Sequence, residues 1–141
     1  MLQELRHKRD QYLQLGSDDQ YFYATLSAAV ARDAERYYRS MYRSDVNSWN
    51  LRDTHMMGTL DALLEHFGPK TRAVVWEHNT HIGDFRATAD AQGMVNMGQP
   101  VRERYPDQSI AVGLGTYEGS VTAAAHGGDL SFRILTYLER P

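Results

Sequence analysis

The chain has 141 residues, 42% of them hydrophobic, enough for one domain with a buried core. Lys+Arg 15 against Asp+Glu 18 leave a net charge of -3, and without a basic cluster dense enough to track phosphates a nucleic-acid partner is excluded. The absence of cysteine excludes disulfides, thiolate metal sites and cysteine nucleophiles. Met1 to Asp10 is charged where a signal peptide needs an apolar core, and no later run approaches the roughly 18 apolar residues of a membrane span. No membrane partner is expected, and the location read from the sequence is cytoplasmic.

In chain order, Leu2, Leu5, Tyr12 and Leu13 give a weakly amphipathic helix closed by Gly16. Ser17 with Gln20 matches a capping box, so a second helix starts there and runs to about Tyr42. Its stripe is Phe22, Leu26, Ala29, Val30, Ala34, Tyr37 and Met41. Ser44 to Asn50 is turn-rich and precedes a third helix from about Leu51 to Phe67, stopped by Gly68-Pro69. Arg52-Asp53 falls in that helix's first turn, where the dipole favours the carboxylate and opposes the guanidinium.

Arg72 to Glu77 is a β-branched apolar run that predicts a buried strand, and Ser109 to Gly115 predicts a second. Between them, Met94 to Tyr105 reads as a segment entering a short helix with Pro100 near its first turn. The alternation of Phe132, Ile134, Tyr137 and Leu138 predicts a last strand. Helices alternating with strands point to a single α/β domain over residues 1–141, with a small, mostly parallel sheet and long helices.

The first strand ends in Glu77-His78-Asn79-Thr80-His81-Ile82-Gly83-Asp84. In open α/β sheets, ligands sit beyond the carboxyl ends of the strands. Two imidazoles three residues apart suit acid–base work near neutral pH, with Glu77, Asp84 or Glu118 available to orient a ring. The plainer reading is that the ring nitrogens are satisfied by backbone in a turn. No third ligand has recognisable metal spacing, so neither metal nor cofactor is expected. Gly113-x-Gly115-x-x-x-Gly119 is not the dinucleotide fingerprint, and no G-x-S-x-G elbow occurs.

Val74 to Asp84, with Arg86-Ala87-Thr88 behind it, resembles the His-Asn-x-His signature of the erythromycin esterase family. Ser48 to Met56, Gly93 to Arg104 and Gly113 to Ala124 resemble further family segments in the same order. The resemblance runs from about Asp18 to Ala124 and covers the C-terminal part of the family domain. It implies a three-layer α/β/α fold, here partial, and hydrolysis of esters, including macrolactones, by an activated water without a required metal. It also implies that His78 and His81 are the paired histidines of the cleft. Arg52 and Asp53 would line or brace it, and Glu77 and Asp84 would position the rings. The family's Gly-Glu-x-x-His-Gly segment, which carries the proposed general base, does not occur among these 141 residues.

Three functions follow as expectations. The first is an erythromycin esterase-like hydrolase acting on a small-molecule ester or lactone, with an incomplete catalytic domain. The second is a non-catalytic α/β remnant or oligomerising module, a homo-oligomer or one completed by a missing N-terminal segment. The third is a histidine-based metal-binding protein.

Overall fold

A computed structural model describes residues 1–43, 45–87, 93–115, 118–124 and 132–138. The chain forms two compact units, Met1–Ala111 and Val112–Pro141. The regular structure of the first is helical: α1 (Leu2–His7), α2 (Arg9–Leu15), α3 (Asp18–Met41), α4 (Asp45–Phe67), α5 (Asn79–Ile82), a 3₁₀ turn (Phe85–Ala87) and α6 (Gly98–Arg104). The second holds an antiparallel pair, β1 (Glu118–Ala124) and β2 (Phe132–Leu138), in register from Glu118 opposite Leu138 to Ala124 opposite Phe132.

Local signals are obeyed. Gln20 N–H donates to Ser17 Oγ at 3.2 Å and Ser17 N–H to Gln20 Oε1 at 3.0 Å, forming the capping box that starts α3. Gly68, at φ 86, follows the last residue of α4, in the left-handed region where glycine carries no Cβ penalty. The predicted first helix is interrupted at Lys8, because its few apolar residues bury only Leu2.

Helices α3 and α4 pack along each other. The His66 ring stacks on buried Phe22, centroids 4.0 Å apart and planes 6° apart, and His55 Nδ1 lies 3.0 Å from Asp33 Oδ2. The core of this unit is Met57, Leu60 and Met97, with Met56, Leu64, Val101 and Tyr105 packed around them. It thus joins α4 to α6.

The expected α/β fold, whether a mostly parallel sheet or part of an α/β/α sandwich, is not what forms. Among the described residues the only strands are the antiparallel pair in the second unit. Arg72 to Glu77 and Ser109 to Gly115 have no regular secondary structure and, among the described residues, belong to no ladder. Val74 is 91% exposed, Trp76 86% and Ile110 94%. A β-branched run becomes a buried strand only where neighbours fill its ladder and layers cover both faces, and the helical unit supplies neither. The third helix also begins at Asp45 rather than Leu51. The residues that look turn-like there include Trp49 and Asn50, whose hydrogen bonds to a distant segment favour helix over turn.

Candidate active site

Helix α4 presents Trp49, Asn50, Asp53 and Met57 at intervals that bring them to one side of the helix. The segment Gly93 to Met97 is strapped along that side. Trp49 Nε1–H donates to Val95 O at 3.1 Å, Val95 N–H donates to Asn50 Oδ1 at 2.8 Å, and Asn50 Nδ2–H donates to Gly93 O at 2.9 Å. Met97 N–H closes the strap on Asp53 Oδ2 at 2.8 Å.

Asp53 is 1% exposed. An isolated carboxylate so deep would be expensive. Besides the Met97 amide, its partner is His81, whose Nδ1 lies 3.0 Å from both carboxylate oxygens. A carboxylate only accepts, so the neutral ring carries its proton on Nδ1. Trp49 stacks on the same imidazole, centroids 4.8 Å apart and planes 3° apart. With Nδ1 committed and one face covered, Nε2 is the ring atom left for chemistry.

Helix α5, which carries His81, is fixed at both ends. Asn96, 1% exposed, donates from Nδ2 to Thr80 O at 3.0 Å. Arg102 Nη1 donates to Ile82 O and Gly83 O, each at 2.9 Å, and to Gly98 O on its own helix. The start of α6 presses so closely on the end of α5 that any Cβ at Gly98 would collide with the carbonyl oxygens of Ile82 and Gly83. A glycine is required there by space alone.

The six residues singled out from the sequence separate into groups. Asp53 and His81 are in direct contact, and Glu77 lies close enough to feel both. Burial pushes the Glu77 carboxyl up from its ordinary range, opposed by His81 and reinforced by the charge of Asp53. Its Oε2 is buried without a hydrogen-bond partner. The Arg52 guanidinium carbon lies 5.0 Å from the Trp49 ring centroid and 5.7 Å from that of Tyr37, so Arg52 braces the tryptophan that covers His81.

His78 is placed differently. It is exposed, and its Nδ1 accepts from Thr80 N–H at 3.2 Å as the N-cap of α5. For this imidazole the plainer reading of a ring satisfied by its own turn describes what Nδ1 does. Asp84 contacts neither imidazole. It takes Arg86 Nε at 2.9 Å and Nη2 at 2.6 Å, and that pairing holds its carboxyl down at about 2.

Trp49, Asn50, Asn96 and Arg102 are the positioning residues that sequence reading did not single out. Trp49 and Asp53 are four apart, and a helix read from Asp45 would have put them on one face. Among the described residues, no three His, Asp or Glu side chains are placed to hold a metal ion. No helix there is long and apolar enough to cross a membrane.

The family model for erythromycin esterase matches residues 1–135. The chain belongs to the erythromycin esterase family. The match extends beyond the Asp18 to Ala124 stretch of the motif resemblance at both ends. Membership supports an esterase-like hydrolase at the level of the family. No solved structure matches the chain.

Proposed function

We propose that this chain carries the proton-transfer half of an ester or lactone hydrolase, with His81 Nε2 as the reacting atom. The observation that carries the reading is the buried Asp53 carboxylate on His81 Nδ1. A carboxylate there fixes tautomer and ring orientation and stabilises the imidazolium that forms during the reaction.

Nε2 takes a proton from water as the water oxygen bonds to the carbonyl carbon. The carbonyl π electrons move to oxygen, giving a tetrahedral oxyanion. When the oxyanion collapses, the ester C–O bond breaks and the imidazolium returns its proton to the departing alkoxide, leaving acid and alcohol. Glu77, the second carboxylate beside the pair, adds to the negative field that favours the imidazolium form of His81. His78, on the solvent side of α5, is the second imidazole able to bind the carbonyl. The family name points to macrolactones of the erythromycin type as the first substrates to test.

The test is hydrolysis of a simple aryl ester and of erythromycin by the purified chain. His81→Ala should lower the rate at least about a hundredfold, the range of a positioned acid–base group, and His78→Ala should cost less. If His81→Ala hydrolyses both substrates at the unmutated rate, the reading is wrong.

A further inference from the structure

We infer that Arg52 is a specificity residue that takes a carboxylate on the substrate, so that the esters or lactones this site prefers are anionic. The inference rests on the hydrolase reading for the reaction, whereas the carboxylate site itself can be tested without turnover.

Among the described residues, two of the lysine and arginine side chains are partly buried, Arg52 and Arg102. Arg102 donates to the carbonyls of Ile82, Gly83 and Gly98. Arg52 makes no hydrogen bond or ion pair among the described residues. What it touches is aromatic, the Trp49 ring at 5.0 Å and the Tyr37 ring at 5.7 Å. Acidic partners are common in this chain: exposed Arg9, Arg32, Arg39, Arg86 and Arg104 each have one. Asp53, next to Arg52 in sequence, is committed to His81 Nδ1 and the Met97 amide. A ring face attracts the guanidinium charge and leaves the N–H donors along its edge open. A partly desolvated cation with idle donors is costly to keep. That cost is offset when a planar carboxylate takes the fork.

Trp49 ties this cation to the reaction. The same indole stacks on the His81 imidazole with centroids 4.8 Å apart, so guanidinium and imidazole are separated by no more than the two ring contacts laid end to end. A carboxylate on Arg52 and a carbonyl at His81 Nε2 can therefore belong to one small molecule. The anion is then a second group of the substrate and not its reacting carbon.

Two ligands that differ in charge test the site by calorimetry on the full chain: para-acetamidobenzoate and para-acetamidobenzamide, amide analogues of an aryl acetate. The unmutated chain should bind the benzoate about tenfold more tightly or better, the worth of a charge-assisted hydrogen bond. Arg52→Gln should abolish that preference. Arg52→Lys, which keeps the charge without the planar fork, should lower it severalfold and decides the matter if the glutamine variant does not fold. An Arg52 that merely braces Trp49 would weaken both ligands alike and leave their ratio unchanged. Equal binding of the two ligands, binding of neither, or an unchanged ratio in either variant overturns the inference. The same preference should appear in kcat/KM for para-acetoxybenzoate over its methyl ester. Preferential binding without hydrolysis of either ester supports the carboxylate site and overturns the hydrolase reading, whereas hydrolysis without preference overturns the carboxylate site alone.

Discussion

The stretch Arg72 to Glu77 and the short helix just after it are neighbours in sequence and opposites in environment. In the irregular stretch Val74 and Trp76 stand almost fully in water, and among the described residues its backbone finds no partner. At α5, His81 is held by a carboxylate from α4, covered by a tryptophan from α4 and locked through its helix by Asn96 and Arg102. Apolar character alone does not bury a segment. Burial here follows from polar groups whose partners lie 16 to 44 residues apart in sequence, because such groups specify a location whereas a run of valines only demands cover.

The sharpest way to break that contrast is to remove the anchor. Asp53→Ala leaves the Met97 amide and His81 Nδ1 without their acceptor. It should lower the unfolding free energy by about 3 kcal/mol in a denaturant titration. A loss below about 0.5 kcal/mol, the usual range of a surface change, would mean that Asp53 anchors nothing. Gly98→Ala comes next. A methyl group driven into the Ile82 and Gly83 carbonyls forces α6 away from α5, and about 1–3 kcal/mol should be lost, as in other overpacked sites. Unchanged stability would show that the two helices do not press together.

The smallest expected effect is the pH dependence set by Glu77. Its carboxyl is raised in the folded chain, so the fold holds that proton more tightly than the unfolded chain does. Stability from this group is therefore full below the ordinary glutamate value and declines as pH rises through the raised one. Glu77→Gln should flatten that part of a melting-temperature profile against pH, and an identical slope in the variant would remove Glu77 from the buried cluster.

What could be read without coordinates divides along the same line. The Ser17/Gln20 box was legible because both partners sit within one turn. The membership was legible from ordered motifs that need no folding argument. His81 and Asp53 each stood out in the sequence as candidates, but their pairing, which crosses 28 residues, did not. The two apolar runs misled because a strand's identity resides in its ladder neighbours, which its own residues do not specify. Ser44 to Asn50 looked like a turn because serine and asparagine cap locally, whereas Trp49 and Asn50 spend their donors and acceptors on Gly93 and Val95. Of the two histidines the spacing treated alike, among the described residues only His81 meets a carboxylate.

The most direct test of the Asp53–His81 pair is a double-mutant cycle on ester hydrolysis with Asp53→Asn, His81→Ala and the double variant. If Asp53 acts by orienting and charging His81, the double variant is no slower than His81→Ala alone, because the carboxylate has nothing left to orient. Rate losses that simply multiply would mean the two residues act independently, and the pair would not be the proton-transfer centre.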